Sequence, residues 1–276
     1  MKKIATMQDI SCIGKCSLTV ALPIISSMGI ETAVLPTAVL STHTMFQGFT
    51  FHDLTSEIHP ILSHWEKEKF QFSALYTGYL GSQEQISIAK HLFEKFKGTG
   101  ITLVDPCMAD NGKLYPGFDM KFAKEMASLC QVADIICPNL TEASYLLDIP
   151  YCDQPYDEAY IQFLLKQLTD LGAKTAVLTG ISFEPGKIGA YAYNKAQDTF
   201  YSYFTDEQPE RFHGTGDIWA SSFLGALMNE KEFETSLKIA CDFVSKAIQK
   251  TLAEPNHSTY GVNFEQAIPS LIESLH

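Results

Sequence analysis

The segment His213-Gly214-Thr215-Gly216-Asp217 carries the strongest chemical signal in this 276-residue chain. Two glycines and a threonine come just before an apolar stretch that has the pattern of a helix. The first turn of a helix has free N–H groups and a partial positive charge, so it attracts anions. Such a loop can hold a phosphoryl group in transfer and place the Asp217 carboxylate beside an attacking hydroxyl as a general base. The alternative is ordinary capping, because Thr and Asp are common at helix starts.

A second acidic segment reads DPCMADNGKLY and runs from residue 105 to residue 115. Asp105 and Asp110 lie five residues apart in a loop that follows a predicted buried strand. Carboxylate oxygens in such a loop suit Mg²⁺, often with water completing the shell. A solvated turn is the alternative interpretation, because Asp, Asn and Gly all favour turns.

A third segment, PNLTE at residues 138–142, also follows a predicted strand and opens a predicted helix. Asn139 and Glu142 are three apart and therefore share one side of the first helical turn. They can act together on a ligand, or the segment can simply cap its helix through Asn139 or Thr141.

Two further polar segments end predicted strands: STHT at residues 41–44 and TGYLGS at residues 77–82. The lone His43 of the first segment is more typical of a structural role than of catalysis. By themselves these segments are weak signals.

The elements that position these segments alternate between strands and helices. Predicted strands are Lys3–Met7, Thr32–Val39, Ser73–Thr77, Ile101–Val104, Ala133–Cys137 and Thr175–Thr179. Predicted helices are Ser17–Met28, Gln83–Phe96, Met120–Leu129 and Tyr156–Leu171, and a hairpin follows at Lys187–Tyr193 and Thr199–Phe204. Three more helices are predicted at Gly216–Met228, Phe233–Leu252 and Phe264–Leu275. This order predicts one α/β domain over residues 1–276, with a mostly parallel central sheet and helices on both faces.

Ligands of such sheets bind beyond the carboxyl ends of the strands. Every polar segment described above lies at a strand end or a helix start, so we expect them to meet at one edge. The chain has no P-loop lysine motif, which excludes a P-loop NTPase. It also lacks a strand-linked GxGxxG, which argues against a nicotinamide-dependent oxidoreductase.

Composition limits which binding partners and which cellular compartment are expected for the protein. The net charge of −12 argues against nucleic acid and anionic membrane surfaces as partners. No run reaches 18 apolar residues and no secretory leader is visible, so a cytoplasmic protein is expected. The seven cysteines are irregularly spaced, which favours reduced thiols over a zinc site or disulfides.

Taken in order, TGYLGS, DPxMxDNGKLY, PNLTE and GTGD resemble the motifs of the pyridoxal kinase branch of the ribokinase-like superfamily. The resemblance covers about residues 4 to 252, and STHT and TGYLGS are its parts that are most specific for vitamin B6 kinases. It implies an αβα sandwich that uses ATP to phosphorylate the 5′-hydroxymethyl group of pyridoxal, pyridoxamine or pyridoxine. It also implies Mg²⁺, a monovalent cation such as K⁺, and a homodimer.

The resemblance further implies roles for individual residues. Asp217 is the catalytic base, and the amides of Gly214, Thr215 and Gly216 form an anion hole. Asp105 and Asp110 face the phosphates and Mg²⁺, Asn139 and Glu142 belong to the metal and phosphate motif, and Thr179 lies near the nucleotide. Thr44 and Tyr79 line the vitamin pocket.

Three departures from the family pattern concern the substrate side. Ala109 stands where the family has a glycine, and Gly14-Lys15-Cys16 replaces its N-terminal turn. Asp9 or Ser11 takes the place of the family's substrate-side serine, and these two residues are predicted to contact the vitamin ring. The alternative for Asp9 is that it caps the turn before Gly14.

Two other functions stay open from the sequence. A hydroxymethylpyrimidine kinase shares the fold, the anion hole and the base, and Thr44 and Tyr79 favour the vitamin B6 interpretation over it. A non-catalytic ligand-binding member of the same fold is the other alternative, and the intact Asp217 and glycines argue against it.

Overall fold

The computed structural model describes residues 1–153 and 155–276, and it contains a nine-stranded sheet and a separate two-stranded hairpin. The strands in chain order are β1 (Lys3–Ile13), β2 (Glu31–Thr42), β3 (Phe51–Asp53), β4 (Ala74–Thr77), β5 (Ile101–Val104), β6 (Ala109–Asp110), β7 (Lys113–Leu114), β8 (Ile135–Ile136), β9 (Thr175–Ile181), β10 (Lys187–Asn194) and β11 (Thr199–Asp206). The small hairpin is formed by β6 and β7.

The helices are α1 (Leu18–Ser27), α2 (Thr55–Lys67), α3 (Gln83–Phe96), α4 (Met120–Cys130), α5 (Leu140–Leu147), α6 (Glu158–Asp170), α7 (Thr215–Met228), α8 (Phe233–Leu252) and α9 (Ile268–Glu273). A 3₁₀ turn at Phe264–Gln266 comes before α9. Among the described residues, no helix is long and apolar enough to cross a membrane.

The central sheet has the order β11-β10-β9-β8-β5-β4-β1-β2-β3. From β9 to β2 all neighbouring strands are parallel, whereas β10, β11 and β3 are added antiparallel at the two ends. The carboxyl ends of the parallel strands therefore share one edge of the sheet. This arrangement confirms the predicted mostly parallel α/β architecture.

Each face of the sheet carries its own apolar core. One core packs α2 to α6 against the sheet, and the other packs α1, α7, α8 and α9 against the opposite face. Helix α7 lies at the centre of the second core, and each of its residues from Asp217 to Ala226 is buried. A helix that is buried on all sides gives the groups at its first turn a fixed position.

The structure differs from the predicted elements in four places, the first of which is the β6–β7 hairpin in the segment predicted as a loop. β1 continues beyond Met7 to Ile13, so Asp9 and Ser11 lie within a strand, and the pairing of β1 with β2 shifts between Gln8 and Ile10. β3 and α2 have no counterpart in the sequence prediction. β3 is short and fully exposed, whereas α2 has apolar residues at helical spacing that the prediction overlooked. The last predicted helix is divided into the 3₁₀ turn and α9, which has a proline in its first turn.

All seven cysteines lie in the described part of the chain and are free thiols, as their spacing predicts. Four of them are buried, namely Cys16, Cys130, Cys137 and Cys241. In these positions cysteine behaves as a small apolar residue.

Candidate active site

The GTGD segment forms the N-terminus of α7. Gly214 is the residue before the first helical turn and has a φ of 79°, in the left-handed region. A Cβ at Gly214 would lie 2.1 Å from the carbonyl oxygen of Lys15, so only glycine fits there. Asp217 lies in the first turn of α7, as predicted. The local sequence therefore builds an N-terminus whose N–H groups face outward and whose carboxylate is held beside them.

A cleft of about 520 Å³ opens in front of this helix start. All of the predicted catalytic and nucleotide-binding residues line this cleft. They are Asp105, Asp110, Asn139, Glu142, Thr179, Gly214, Thr215, Gly216 and Asp217. They come from the carboxyl ends of several strands and from two helix starts. Parallel topology alone would gather them in this way.

Asp105 and Asp217 are buried carboxylates on either side of the helix start. Asp105 Oδ2 lies 3.9 Å from the position that a Cβ on Gly216 would take. Burial raises the pKa of Asp105 well above its ordinary range, and the charges of Glu142 and Asp217 raise it further. Burial also raises the pKa of Asp217 to about 7, although the backbone N–H of Ser17 opposes this. Two carboxylates that are costly to ionise favour a cation or a proton between them.

Glu142 is held by backbone N–H groups. Its Oε2 accepts from Asn139 N at 2.9 Å and its Oε1 accepts from Met108 N at 3.1 Å. Asn139 Oδ1 in turn accepts from Glu142 N at 2.9 Å, which completes a capping box on α5. Asn139 Nδ2 donates to Ala109 O at 2.9 Å. Asn139 therefore caps α5, as the alternative interpretation of the sequence predicts. Through their bonds to Met108 and Ala109, Asn139 and Glu142 also hold the loop after Asp105 against α5.

The predicted metal ligands Asp105, Asp110 and Glu142 all line the cleft, but they do not form a ready-made metal cage. Asp110 is exposed and accepts from both the backbone N and the side-chain Nδ2 of Asn111. Among the described residues, no three His, Cys, Asp or Glu side chains are arranged to hold a metal ion. Of the three, Asp105 has the chemistry that fits Mg²⁺ best, because it is buried and its pKa is raised by neighbouring negative charge.

Thr179 lies in β9 and pairs with Asn139 in an isolated parallel bridge. Thr179 N also donates to Pro138 O at 3.1 Å. This pairing extends the sheet by one step beyond β8 and brings the predicted nucleotide residue Thr179 next to the helix start of α5.

The predicted substrate residues Asp9, Ser11, Thr44 and Tyr79 do not line the cleft, although Asp217 does. Asp9 is buried, and Ser11 Oγ donates to its Oδ2 at 2.9 Å. Burial is the main cause of the raised pKa values of Asp217 and Tyr79, and the charge of Asp9 adds to both, so Asp9 lies within electrostatic range of each. Thr44 is exposed in the loop after β2.

His43 links four segments around the predicted anion hole. Its Nε2 lies 3.0 Å from Tyr260 O and its Nδ1 accepts from Met45 N at 3.3 Å, so Nε2 carries the proton. Its ring lies 4.5 Å from that of His213, and a Cβ on Gly14 would come within 2.5 Å of it. Burial lowers the pKa of His43, which keeps the ring neutral. The structural role that the sequence favours for His43 fits these contacts.

One wall of the cleft was not foreseen from the sequence. It consists of the β10–β11 hairpin and two helices, with Ile188, Gly189, Thr205, Trp219, Val244 and Ile248. Four of these six residues are apolar (Ile188, Trp219, Val244 and Ile248), and apolar residues in strands and helices cannot be distinguished from core residues in the sequence. Their position beside the helix start provides an apolar surface on which a planar base can lie.

Comparison with known proteins identifies relatives of two kinds. The family model described as phosphomethylpyrimidine kinase matches residues 25–263. A hydroxymethylpyrimidine/phosphomethylpyrimidine kinase from Haemophilus influenzae is 25% identical over 91% of this chain and 93% of its own length.

Solved structures extend the comparison. A Bacteroides thetaiotaomicron protein, provisionally assigned as a phosphomethylpyrimidine kinase and solved with pyridoxal, is 39% identical with a TM-score of 0.92. The match covers 98% of this chain and 95% of that one. Pyridoxal kinase from Lactobacillus plantarum is 28% identical with a TM-score of 0.89, over 99% of this chain and 97% of its own. The two kinds of relative share a fold and a kinase activity and differ in the named substrate.

Proposed function

Since this chain belongs to the phosphomethylpyrimidine kinase family, we propose that it uses ATP to phosphorylate the 5′-hydroxymethyl group of pyridoxal, pyridoxamine or pyridoxine. The observation that carries the proposal is the buried Asp217 at the start of α7, beside Gly214, Thr215 and Gly216 and facing Asp105 across one cleft. Membership of the family supports the kinase activity, and vitamin B6 as the substrate is the further part of the proposal.

In the proposed reaction Asp217 accepts the proton of the substrate hydroxyl. The oxygen of that hydroxyl bonds to the γ-phosphorus of ATP while the bond from this phosphorus to the bridging oxygen breaks, and ADP leaves. A base works best when its pKa is near the working pH, and the pKa of Asp217 is about 7. The N–H groups of Gly214, Thr215 and Gly216 would stabilise the charge on the phosphoryl oxygens in transfer.

Mg²⁺ would be held by Asp105, with Asp110 and Glu142 nearby, and when bound it would neutralise phosphate charge. Because Glu142 already accepts two backbone hydrogen bonds, we assign it mainly to holding the Asp105 loop. Asn139 and Thr179 would border the nucleotide phosphates. The cleft wall around Trp219 would receive the base.

The vitamin B6 substrate is supported by two observations. The Bacteroides relative, 39% identical, was solved with pyridoxal. In this chain burial and then the charge of Asp9 raise the pKa of both Asp217 and Tyr79, which supports a ring position beside Asp9 when the hydroxymethyl group reaches the base. We propose that Asp9, supported by Ser11, faces the polar edge of the ring and that Thr44 closes over it.

A second candidate is the phosphorylation of hydroxymethylpyrimidine. It is favoured by the family model and by the Haemophilus relative, which is named for that activity. A homodimer, a K⁺ requirement and a cytoplasmic location stay predictions from the sequence.

An ADP-release assay tests both candidates together. The panel contains the three B6 vitamers, hydroxymethylpyrimidine, ribose and a sample without substrate, each with wild type and with Asp217→Asn. We expect the highest kcat/KM with a B6 vitamer and loss of that signal in the variant. A higher value with hydroxymethylpyrimidine would select the second candidate, and no substrate-dependent ADP release would contradict both.

A further inference from the structure

A group of buried polar atoms lies between the sheet and α7, beneath the cleft. Gln8 Oε1, Tyr76 OH, Ser221 Oγ and Asp217 Oδ1 are each buried and have no hydrogen-bond partner at bonding geometry among the described residues. Gln8, Tyr76 and Ser221 are 0% exposed and Asp217 is 7% exposed. Buried polar groups in proteins are nearly always paired with protein or with ordered water, so four in one region require an explanation.

Strand register places Gln8 and Tyr76 on the same face of the sheet. Thr6 of β1 pairs with Tyr76 of β4, and side chains alternate along a strand, so Gln8 projects on the side of Thr6 and Tyr76. Tyr76 belongs to the core that contains α7. Gly78 leaves room at the end of β4, because a Cβ there would lie 2.8 Å from Gln8 Oε1.

Helix α7 supplies the opposite side of the group. Asp217 and Ser221 are four residues apart and therefore lie one above the other on the same helix face. Burial raises the pKa of Tyr76, and after burial the charges of Asp105 and Asp217 raise it further, whereas Ser221 lowers it. The Tyr76 hydroxyl thus lies beside Ser221 and near both carboxylates, although its position falls outside direct hydrogen-bond geometry.

Donors and acceptors in this group balance. The hydroxyls of Tyr76 and Ser221 each have a proton to donate. Gln8 Oε1 and Asp217 Oδ1 are acceptors, and Gln8 Nε2 is already used because it donates to Thr6 Oγ1 at 2.7 Å. A water molecule donates two hydrogen bonds and accepts two, which is the number that these four atoms need.

We propose that one ordered water bridges Tyr76, Ser221, Gln8 and Asp217 Oδ1, and that Tyr76 and Ser221 are positioning residues for Asp217. This inference rests on the role of Asp217 as base in the proposed function. The water fixes one carboxylate oxygen, so the plane of the carboxylate is set and its other oxygen is directed by the rest of the site. An imprecisely held base loses rate because proton transfer requires a defined distance and angle.

A purely structural role for Tyr76 makes a different prediction for activity. A buried hydroxyl that lacks a partner destabilises the fold, so Tyr76→Phe should be neutral or stabilising and should leave turnover unchanged. A positioning role predicts that the same variant folds as well as wild type and turns over more slowly.

The test compares Tyr76→Phe, Ser221→Ala and the double variant with Ser222→Ala as matched control. Ser222 is also 0% exposed on α7, but its hydroxyl donates to Ile218 O at 2.7 Å within the helix. We expect kcat to fall about tenfold in each single variant, with KM for both substrates changed by less than about twofold, as for the loss of one hydrogen bond to a charged group. The double variant should fall little further, since both changes remove the same water. Ser222→Ala should keep the wild-type kcat.

A crystal structure of the wild type without ligands provides a readout that does not depend on activity. We expect ordered water density between Tyr76 and Asp217, and its loss in Tyr76→Phe. Wild-type kcat in Tyr76→Phe, strictly additive losses in the double variant, or no water at this position would each overturn the proposal. If wild type phosphorylates no substrate of the panel, the proposed function fails, whereas the density still decides whether the water exists.

Discussion

Buried carboxylates at the two ends of the parallel strands have pKa values that are shifted in opposite directions. The side of the sheet where these strands begin is called the amino edge, and the side where they end is called the carboxyl edge. At the amino edge, Asp134 accepts from Lys97 Nζ at 2.9 Å and pairs with Lys174 Nζ at 2.7 Å. It also accepts from Thr102 N at 2.9 Å and from Thr102 Oγ1 at 3.0 Å. Burial raises the pKa of Asp134, but these partners outweigh burial and bring it down to about 2.

At the carboxyl edge, Asp105, Glu142 and Asp217 are also buried, and burial raises their pKa values. The neighbouring charges that act most strongly on these three groups are carboxylates, which raise the pKa values further. The amino edge therefore uses its buried charge for stability. Within the described part of the chain, the carboxylates of the carboxyl edge have no cationic partner, so their ionised forms reduce the stability of the fold. For the same reason this edge is better suited to bind a cation, a proton or a substrate.

The largest effect should come from removing the charge at the carboxyl edge. Asp217→Asn keeps the shape of the side chain but cannot accept the substrate proton, so kcat should fall by about 10²–10⁴. The measurement is steady-state ADP release with the best substrate of the panel, together with circular dichroism to verify the fold. Wild-type turnover in the folded variant would falsify the assignment of Asp217.

Asp217→Asn should also stabilise the protein, because burial of the ionised Asp217 carboxylate lowers the free energy of unfolding of the wild type. The folded pKa of about 7 lies above the ordinary value of 3.8, so the folded state holds the proton more tightly than the unfolded state. Stability is lost as pH rises from 3.8 toward 7, and the full penalty is present above pH 7. At pH 8 we expect Asp217→Asn to raise the free energy of unfolding by about 2–3 kcal/mol, with no gain near pH 4.

Urea unfolding of both proteins at the two pH values measures this difference. Equal stabilisation at pH 4 and pH 8 would show that the gain has another origin than the buried charge.

At the amino edge the expected sign is reversed. Asp134→Ala should lower the free energy of unfolding by about 2 kcal/mol at pH 7, because Lys97, Lys174 and Thr102 lose their common partner. The folded pKa of about 2 lies below 3.8, so this contribution is present above pH 3.8 and is lost as pH falls toward 2. Urea unfolding should therefore show the variant approaching wild type in acid, while kcat at 25 °C stays unchanged. A loss of kcat without a loss of stability would contradict the division between the two edges.

The smallest effect concerns substrate choice. Asp9 is a buried carboxylate near Asp217, and we propose that it favours a cationic ring nitrogen or ammonium group. Asp9→Ser should then shift the ratio of kcat/KM values toward pyridoxal over pyridoxamine by about tenfold, or roughly 1.4 kcal/mol. Parallel loss of both values would instead mean that Asp9 supports the bulged end of β1.

The sequence by itself predicts those structural features that depend on residues close together in the chain. The GTGD helix start and the Asn139–Glu142 pair depend on spacings of one helical turn, and the structure contains both. Alternating apolar segments predicted the parallel sheet, and parallel topology implies that polar strand ends meet at one edge. The short exposed strand β3 left no signal in the sequence. Helix α2 does carry apolar residues at helical spacing, namely Ile58, Ile61, Leu62 and Trp65, and the sequence prediction overlooked it.

Only the tertiary structure decided what surrounds each charged group. Asp105 and Asp134 are the same residue type near the two ends of neighbouring strands, yet their pKa values move in opposite directions. The reason is that lysines from α3's end and from the turn before β9 reach one aspartate, whereas carboxylates from α5 and α7 face the other. Likewise, Gln8 and Tyr76 share the face of the sheet that α7 covers only because β1 and β4 pair in one register. Contacts between distant segments are set by register and packing, and no local pattern of residues encodes them.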